Sequence, residues 1–411
     1  MTRTDLKRIV VAGAATAGLS AARELRKQGF AGVIQLVDAE PASPYRRPEV
    51  SKGILSGKID ESTIKVRWPD DLGLELRSGV RITEVDFSAR TLTAHEADET
   101  VTLPFDGLVI ATGSRARPSP FDPTFTNVFS LRSLDDGLRM RGALDGAERI
   151  VLVGGGFIGL EVAAVARTKG IAVTIVEATD VPLGNALGDA FGRHMAAMHE
   201  SHGVEIICGE TVTGIEGSDG VADTVSLSNG RQLPADLVLV SIGSVPAVDW
   251  LTVSGIEAAA GVVCDETCAV LGLEDVVAAG DVASWFNPLY QRRMRVEHWT
   301  NAIEQGTYAA RRLLGVHDPA GFSSAPYFWS DQYGGRLQSY GSTQGYDEVE
   351  VLVRDGEKLL VAYGREGRVI CTAGLQCGAA ILAYRRLVLD LASMDDVRRH
   401  ALETLVGAAP A

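Results

Sequence analysis

Residues 149–178 read RIVLVGGGFIGLEVAAVARTKGIAVTIVEA, and residues 8–40 read RIVVAGAATAGLSAARELRKQGFAGVIQLVDAE. Each stretch predicts an apolar strand, a glycine-rich turn, a helix with small apolar residues, and a second apolar strand that ends near a carboxylate. This order is typical of the βαβ unit that binds a dinucleotide. Two such units in one chain predict two bound dinucleotides, and their obvious joint use is to pass electrons from one to the other.

The second βαβ unit carries a complete GxGxxG pattern, formed by Gly154, Gly156 and Gly159. These glycines allow a tight turn, let backbone N–H groups approach a pyrophosphate, and let the helix pack closely. Glu177 ends the next predicted strand, where a carboxylate binds the ribose hydroxyls and repels a 2′-phosphate. The pattern therefore predicts NADH as the ligand of this unit.

The first βαβ unit is less regular, because Gly13 and Gly18 are present while Ala15 takes the middle position. The extra methyl group is expected to crowd the phosphates slightly. Asp38 and Glu40 follow at the distance that suits an acid on the adenosine ribose, and both are candidates for that contact.

Composition and charge limit the class of protein. The 411 residues exceed what one hydrophobic core can organise, so several domains are expected. The net charge of −14 and the scarcity of basic runs argue against a nucleic-acid surface. Charges such as Glu161 and Arg167 interrupt the apolar stretches, so no membrane span is expected. Five scattered cysteines and a charged N-terminal segment that leads directly into a strand predict a soluble, cytoplasmic protein, and no metal site is predicted.

The duplication extends beyond the glycine turns. Residues 106–118 and 236–246 repeat the same pattern, with Gly113 matching Gly243. From about Phe322 the sequence becomes aromatic and rich in predicted strands, with a closing helix expected near residues 394–405. The fold class predicted is α/β, with two Rossmann-like dinucleotide-binding domains in a glutathione-reductase-like arrangement and a C-terminal α+β domain.

Several charged residues outside the glycine turns are candidates for chemistry. Residues 43–55, SPYRRPEVSKGIL, form a loop in which prolines disfavour a regular helix, and Lys52 in this loop is either solvated or placed to donate to a flavin ring. Glu161 lies in an apolar helix and needs a partner, for which a lysine from the first domain would serve. Asp281 ends a third apolar strand before an expected helix, so it is either a ligand-binding acid or a helix N-cap. His298 and Trp299 are compatible with ordinary core positions.

Four segments, PYRRPEVSK, GGGFIGLEVAA, AAGDVA and FWSDQYG, carry a resemblance to a known family. From about Lys7 to Tyr346 the chain resembles the FAD-dependent, NADH-linked ferredoxin reductases that serve bacterial haem monooxygenases and ring-hydroxylating dioxygenases. These putidaredoxin reductase-like proteins are relatives of apoptosis-inducing factor and belong to the pyridine nucleotide-disulfide oxidoreductase superfamily, without its redox cysteines. The resemblance implies an FAD-binding domain at residues 1–113 and 246–321, an NAD-binding domain at 114–245, and a C-terminal domain at 322–411.

The resemblance also implies which residues form the site. Lys52 and Glu161 would sit beside the reactive nitrogen of the flavin, and Trp329 would approach the nicotinamide. These three are the catalytic candidates. The candidate cofactor-binding residues are Gly13, Ala14, Ala15, Ala17, Gly18, Asp38, Glu40, Arg47, Lys52, Ile82, Ala111, Thr112, Gly113, Arg132, Gly154, Gly156, Phe157, Ile158, Gly159, Glu161, Glu177, Gly243, Gly280, Asp281, His298 and Trp299.

The sequence departs from the family pattern at several positions. Ala39 stands where the ribose acid usually falls, with an acid on either side of it. Asn185 replaces an arginine expected near the adenosine, and PEV replaces PPL in the proline loop. In the C-terminal domain GLQCG, residues 374–378, replaces the usual segment. We expect these changes to bear on cofactor affinity and on the partner surface.

The cysteine positions decide which acceptor is expected. Related disulfide reductases need a thiol pair beside the flavin, whereas this chain has no cysteine before Cys208 and no CxxC motif. Electrons must then pass directly to an outside acceptor, for which a two-iron ferredoxin is predicted, with a monomer or weak homodimer as the assembly. Candidate docking residues are Arg292, Arg293, Arg295 and Arg336, although plain solubility explains each of them equally well. Alternative functions are reduction of quinone or oxygen, or redox-dependent association of the apoptosis-inducing-factor type.

Overall fold

The computed structural model describes residues 3, 5–42, 44–68, 70–121 and 124–403. Ser43, the first residue of the predicted proline loop, and residues 404–405, the end of the predicted closing helix, lie outside this range. Among the described residues, no helix is both long enough and apolar enough to cross a lipid bilayer.

The first thirteen strands are β1 Arg8–Ala12, β2 Val33–Asp38, β3 Leu74–Ser78, β4 Val80–Asp86, β5 Thr91–Glu96, β6 Glu99–Pro104, β7 Gly107–Ile110, β8 Ser114–Ala116, β9 Val128–Phe129, β10 Arg149–Val153, β11 Ala172–Glu177, β12 Val204–Cys208 and β13 Val212–Ser218. The remaining strands are β14 Val221–Leu227, β15 Gln232–Pro234, β16 Leu237–Val240, β17 Ser244–Pro246, β18 Val262–Val263, β19 Val276–Ala278, β20 Ala283–Asn287, β21 Arg292–Met294, β22 Tyr327–Gln332, β23 Gly335–Gly341, β24 Glu348–Asp355, β25 Lys358–Arg365 and β26 Arg368–Leu375.

The α-helices are α1 Thr16–Lys27, α2 Glu61–Ile64, α3 Leu134–Leu144, α4 Phe157–Thr168, α5 Gly184–Ser201, α6 Asp249–Val253, α7 Trp299–Leu313, α8 Ala380–Leu389 and α9 Met394–Ala401. Short 3₁₀ turns occur at Arg47–Glu49, Asp70–Leu72 and Gly280–Val282, and a π-helix occurs at Val50–Ile54.

The chain divides into two compact units. The first contains the chain up to Arg46, Ile64–Arg115 and Ser244–Pro326, and the second contains Arg47–Thr63, Ala116–Gly243 and the chain from Tyr327 onward. The segment Arg47–Thr63, which carries Lys52, therefore packs with the second unit. The division into four domain segments derived from the sequence stays a prediction.

The first unit is built on a parallel sheet with the strand order β19-β7-β1-β2-β3. Strands β1, β7 and β19 are almost completely buried, as expected for a parallel sheet covered by helices such as α1 and α7. An antiparallel meander, β4-β5-β6, is inserted between β3 and β7. The glycine turn after β1 therefore lies at the carboxyl edge of the central strand.

The second unit repeats this architecture. Its parallel sheet has the order β12-β11-β10-β16-β9, and the meander β13-β14-β15 lies between β12 and β16 in the chain. Position by position, β10 corresponds to β1, β11 to β2, β16 to β7 and β12 to β3. The outer strand differs, because β9 precedes the second βαβ unit whereas β19 follows the first.

The C-terminal part of the second unit is an antiparallel sheet of order β22-β23-β26-β25-β24, with α8 packed against β26 and β23. Strands β25 and β26 are nearly fully buried. Parallel Rossmann-like sheets together with this antiparallel domain confirm the predicted fold class.

One local expectation was wrong. A helix was expected directly after Asp281, but Gly280–Val282 is a short 3₁₀ turn and Ala283–Asn287 is strand β20. The next α-helix, α7, begins only at Trp299. The reason is that Trp285 and Asn287 are buried side chains on β20, and β20 pairs with β18 and β21. Tertiary pairing therefore overrides the local helix signal.

Candidate functional site

The two glycine turns share one backbone geometry. Gly13 has φ +104° and Gly154 has φ +105°, a backbone conformation that residues with a side chain rarely adopt. A Cβ atom at Gly13 would lie 2.2 Å from the carbonyl oxygen of Ala111, and one at Gly154 would lie 2.4 Å from that of Ser241. Each first glycine is therefore required by a neighbouring strand end that approaches within contact distance.

The third glycine of each turn allows the helix to begin close to the turn. A Cβ atom at Gly18 would lie 1.9 Å from the Gly13 oxygen, and one at Gly159 would lie 2.2 Å from the Gly154 oxygen. No side chain fits at either position. This is the close helix–strand packing that the motif was expected to provide.

Within the part of the chain that the structure describes, no side chain caps the backbone N–H groups at the start of either helix. The N-cap of α1 is Ala15 and that of α4 is Gly156, and neither helix has an acidic residue in its first turn. Unpaired N–H groups and the positive end of the helix dipole together suit a pyrophosphate. A Cβ atom at Gly156 would meet nothing within 4 Å, so the methyl group that Ala15 adds at the equivalent position needs no rearrangement of the protein.

The strand-end acids bind the glycine turns in the same manner. Asp38 Oδ2 accepts the Ala14 N–H at 2.6 Å, and Glu177 Oε2 accepts the Gly155 N–H at 2.6 Å. The second oxygen of Glu177 accepts both the backbone N–H and the hydroxyl of Thr179, at 2.9 and 2.8 Å.

The equivalence singles out one of the two acids in the first unit. Asp38 Oδ1 accepts the Glu40 N–H at 2.8 Å, which matches the contact of Glu177 with the residue two positions further along. The Glu40 carboxylate instead accepts the Tyr45 hydroxyl at 2.5 Å. Asp38 is therefore the structural counterpart of Glu177.

The segment Ala111–Gly113 follows β7 and stands at the same sheet edge as the Gly13 turn. Ala111 N–H donates to the Ala12 oxygen at 2.8 Å, and the Thr112 hydroxyl donates to the Ala247 oxygen at 2.7 Å. Gly113 and its counterpart Gly243 both have positive φ, +71° and +99°. The two repeated strand ends thus share a turn that favours glycine.

Asp281 lies in the same unit. Gly280, with φ +78°, abuts the start of α1, because a Cβ atom there would lie 2.9 Å from the Ala17 side chain. The Asp281 carboxylate accepts the Ser114 hydroxyl at 3.0 Å, and the Asp281 carbonyl accepts Arg295 Nη1 at 3.0 Å. Asp281 sits inside the 3₁₀ turn whose N-cap is Ala279. Its placement beside the first glycine turn suits a ligand-binding acid.

Three further candidates belong to the first unit. His298 is the N-cap residue of α7, and burial lowers the pKa of its imidazole to about 4, so the ring is neutral at physiological pH. Trp299 is the first residue of that helix and is half-buried, and Ile82 is half-buried at a bulge in β4.

The second unit contains a nearly buried ion pair. Lys52 Nζ lies 2.7 Å from Glu161 Oε1, and the side chains are 17% and 6% exposed. Two hydroxyls also donate to the carboxylate: Ser51 to Oε2 at 2.5 Å and Ser330 to Oε1 at 2.6 Å. The structure thus brings together the lysine and the glutamate that the resemblance paired, and it supplies the additional hydrogen bonds that a buried charge requires.

The local fold explains how consecutive residues reach this carboxylate. Pro48 lies in a 3₁₀ turn and, having no N–H, disfavours an α-helix there. The π-helix Val50–Ile54 follows and packs against α4 and α3. The expectation that no regular α-helix forms there is correct for the described residues of the loop, although π-helical geometry was not foreseen. Such turns frequently occur at functional sites.

Other candidates of the second unit lie near this pair in the fold. Arg47 Nη1 donates to the Arg132 oxygen at 2.8 Å, so the structure joins two of the predicted cofactor contacts. Phe157, which precedes Ile158 in α4, contacts the Phe328 ring at a centroid distance of 4.6 Å. Strand β22, which bears Ser330, therefore packs on the first turn of α4.

Trp329, the third catalytic candidate, lies on β22 and is half-buried. Its ring is stacked with Tyr327, with 6.0 Å between ring centroids and 21° between planes. Its contact with a nicotinamide stays a prediction.

Sequence reasoning missed five polar residues around the ion pair: Ser51, Ser330, Gln332, His199 and Tyr333. The segment FWSDQYG contained a usable signal, because Ser330 and Gln332 are two apart in a predicted strand and must share a face. His199 carried none, since its partner lies 133 residues away in the sequence.

Two Rossmann-like sheets, each with a glycine turn and an acid bound to it, together with a buried lysine–glutamate pair, define an oxidoreductase that uses two dinucleotides. Comparison with known proteins gives the family. The model of the pyridine nucleotide-disulphide oxidoreductases matches residues 7–306, and the reductase C-terminal domain matches residues 327–402. The chain belongs to this family, and the predicted cofactors, FAD and NAD(H), are confirmed.

Individual relatives are similar over most of the chain. Rhodocoxin reductase of Rhodococcus erythropolis is 35% identical over 82% of this chain and 79% of its own length. The ferredoxin reductase component of chlorobenzene dioxygenase from Cupriavidus sp. (strain PS12) is 33% identical over 95% of this chain and 94% of its own. The covalent putidaredoxin reductase–putidaredoxin complex is 29% identical, with a TM-score of 0.89 over 98% of this chain and 99% of that one.

Proposed function

We propose that this protein is an NADH:ferredoxin oxidoreductase, which transfers hydride from NADH to FAD and then delivers single electrons to a two-iron ferredoxin. The ferredoxin serves a haem monooxygenase or a ring-hydroxylating oxygenase. The observation that carries the proposal is the buried Lys52–Glu161 pair in a chain whose five cysteines are all free. When bound, FAD accepts two electrons as a hydride and returns them one at a time, which suits a one-electron acceptor.

The first unit supplies the FAD site in this proposal. The Gly13–Gly18 turn and the N-terminus of α1 bind the pyrophosphate, and Asp38 binds the adenosine ribose. Asp281, beside the same turn, completes the set of polar contacts.

The second unit supplies the NADH site. Gly154, Gly156 and Gly159 leave room for the pyrophosphate, and Glu177 binds the ribose hydroxyls. Its negative charge repels the 2′-phosphate of NADPH.

Lys52 is the residue that stabilises the charge of the reaction in this proposal. Its ammonium is held by Glu161 and would supply a hydrogen bond and a positive charge to a bound flavin as negative charge develops during hydride transfer. Glu161, itself held by two serine hydroxyls, prevents the lysine from turning away. Preorganisation of this kind costs no rearrangement at the moment of reaction.

The acceptor is supported by the relatives. A ferredoxin is named in the chlorobenzene dioxygenase component, and the solved complex pairs putidaredoxin reductase with putidaredoxin. The absence of a CxxC motif from the sequence removes the thiol relay of disulfide reductases. Free cysteines also support a reducing compartment such as the cytoplasm.

The four docking arginines differ in their internal contacts. Arg293 Nη1 donates to the Cys264 and Ser284 oxygens at 2.6 and 2.7 Å, so it supports the fold. Arg336 forms two hydrogen bonds to Asp331, at 2.6 and 3.1 Å, which offset its charge. Docking through these residues, and a monomer or weak homodimer as the assembly, stay parts of the proposal.

The test is an absorption titration of the purified FAD-loaded protein with NADH. We expect the flavin absorption to bleach with NADH and to recover rapidly when a two-iron ferredoxin is added, more rapidly than with quinone or oxygen. A protein that cannot be loaded with flavin, or that is reoxidised fastest by oxygen, contradicts the proposal. Slow turnover with a change in particle size on adding NADH would instead support redox-dependent association.

A further inference from the structure

A continuous chain of hydrogen bonds leads from Glu161 into the C-terminal sheet of the second unit. Glu161 Oε1 accepts the Ser330 hydroxyl at 2.6 Å, and Ser330 Oγ accepts Gln332 Nε2 at 3.0 Å. Gln332 Oε1 lies 2.7 Å from His199 Nε2, and the Tyr333 hydroxyl lies 3.1 Å from His199 Nδ1. The chain joins α4, β22 and α5.

The donor and acceptor atoms of these side chains allow only one direction of donation along the hydrogen-bond series. The Gln332 amide donates through Nε2 to the serine, so its Oε1 accepts from His199 Nε2–H. His199 Nδ1 is then unprotonated and accepts the Tyr333 hydroxyl. Every donor in the series points towards the Glu161 carboxylate, which is the arrangement that stabilises a negative charge at the end of the chain.

The hydrogen-bond series lies in the protein interior. His199 is fully buried, Ser330 is 1% exposed and Gln332 is 3% exposed. Burial lowers the pKa of His199 to about 4, so the imidazole is neutral at physiological pH and keeps a single tautomer. The Tyr333 ring stacks on His202 with 3.8 Å between centroids, which fixes the far end.

A buried histidine needs only one partner at each nitrogen, and these could be local backbone groups. Here the Nε2–H bond goes to the Gln332 side chain, whose amide group donates, among the described residues, to Ser330 on the side towards Glu161. Serine and glutamine side chains have free rotamers that must be ordered to make such a series. The geometry therefore favours a role beyond filling the core.

We propose that His199 is a positioning residue for Glu161, acting through Gln332 and Ser330 so that the carboxylate keeps its orientation and its contact with Lys52. The inference rests on the proposed function, since it gives the ion pair a task at the flavin. Without the series, Glu161 Oε1 loses one of its two partners and the carboxylate can rotate. Lys52 then loses a fixed position.

The test compares variants of the FAD-loaded full chain. Ser330→Ala and Gln332→Met interrupt the series, and His199→Asn moves the donor away from the Nε2 position. His199→Gln keeps a donor near that position and serves as the rescue variant. Ser339→Ala is the matched control, because Ser339 is also 1% exposed and lies in the neighbouring strand β23, where its hydroxyl contacts Cys371.

Two measurements are made on each variant: the rate constant of flavin reduction at saturating NADH, and the flavin midpoint potential. We expect Ser330→Ala to reduce the rate about tenfold and to lower the potential, because a hydrogen bond to a charged group is lost. Gln332→Met and His199→Asn should change both in the same direction, the rate by about fivefold, because the Ser330 hydroxyl, or the Gln332 amide that orients it, loses its own partner. His199→Gln and Ser339→Ala should remain within about twofold of the wild type. The NADH dissociation constant should not change, since none of these residues belongs to the glycine turn.

Other outcomes overturn the inference. Equal losses in His199→Gln and His199→Asn would show that only the shape of the histidine matters, and losses no larger than in Ser339→Ala would show a packing role. Should the wild type fail to be reduced by NADH, the proposed function fails instead. The nitrogen NMR spectrum of histidine-labelled protein then tests the series itself: a neutral Nε2–H tautomer at His199 that is perturbed in Gln332→Met supports it, and an unperturbed resonance contradicts it.

Discussion

Glu177 makes in the second unit the contact that Asp38 makes in the first, with one carboxylate oxygen accepting a glycine-turn N–H at 2.6 Å in both cases. Each carboxylate also accepts the N–H of the residue two positions further along the chain. The acid therefore fixes the turn, in addition to its proposed contact with the ribose. Its loss must affect the shape of the site and the charge of the site together.

Replacing Glu177 by glutamine should weaken NADH use and relax the preference over NADPH. The amide can keep one hydrogen bond, but it removes the charge that repels a 2′-phosphate. We expect kcat/KM for NADH to fall on the order of tenfold, which corresponds to about 1.4 kcal/mol of transition-state stabilisation, and the NADH/NADPH ratio of kcat/KM to fall as well. Glu205→Gln, which removes an exposed acid on the adjacent strand β12, is the control. An unchanged ratio in Glu177→Gln would contradict the assignment.

Replacing Lys52 by methionine should destabilise the protein and slow flavin reduction. The Glu161 carboxylate, only 6% exposed, then keeps its two hydroxyl donors but loses its counter-charge. Breaking a buried ion pair from one side costs about 3 kcal/mol, which urea unfolding measures. Lys58→Met, at an exposed lysine of the same segment, should leave both stability and rate unchanged. Similar behaviour of the two variants would show that the pair has neither role.

Much of this site could be predicted from the sequence, because the residues that form each glycine turn are close together in the chain. A glycine turn, its helix and the strand-end acid occupy about thirty consecutive residues, so spacing alone identified Gly154 and Glu177. The Lys52–Glu161 pair was accessible for a different reason. An acid in an apolar helix needs a partner, which predicted a lysine from the first domain, and the resemblance to the reductase family pointed to Lys52 as that lysine.

The rest depends on contacts between distant segments. The helix expected after Asp281 does not form, since the following residues pair as strand β20 and bury Trp285. The hydrogen-bond series through His199 requires α5 and β22 to pack together. The sequence pattern of neither segment indicates that the two are in contact. Side-chain hydrogen bonds over such separations follow from the complete fold and not from periodicity.

Acidification should destabilise the protein through His199. Burial depresses its pKa from the ordinary 6.5 to about 4, so on lowering the pH the unfolded chain takes up the proton first. The contribution of the neutral histidine is complete above pH 6.5 and is lost as the pH falls towards 4, by roughly 3 kcal/mol in total. Urea unfolding between pH 7 and 4 should show a flatter dependence in His199→Gln, which cannot titrate. The His95→Gln variant, altered at an exposed position, should retain the wild-type curve.

Alkylation of thiols should leave electron delivery intact. Burial raises the pKa of every cysteine, to about 12 for Cys264 and Cys371 and to about 11 for Cys377, and it also raises those of Cys208 and Cys268. The thiols are therefore protonated near neutral pH and react slowly, since only the thiolate is nucleophilic. Cys208, the one half-buried cysteine, is the first to be modified.

The measurement is NADH-dependent ferredoxin reduction before and after treatment with iodoacetamide, with the modified residues identified by mass spectrometry. We expect less than about a twofold change in rate for both the alkylated protein and Cys208→Ser, because an electron path without sulfur does not pass through any thiol. A disulfide reductase of the same family, pre-reduced and treated in parallel, should lose its activity and so verifies the reagent. Loss of ferredoxin reduction in this protein, with flavin bleaching by NADH retained, would place a thiol between the flavin and the acceptor and would refute direct transfer.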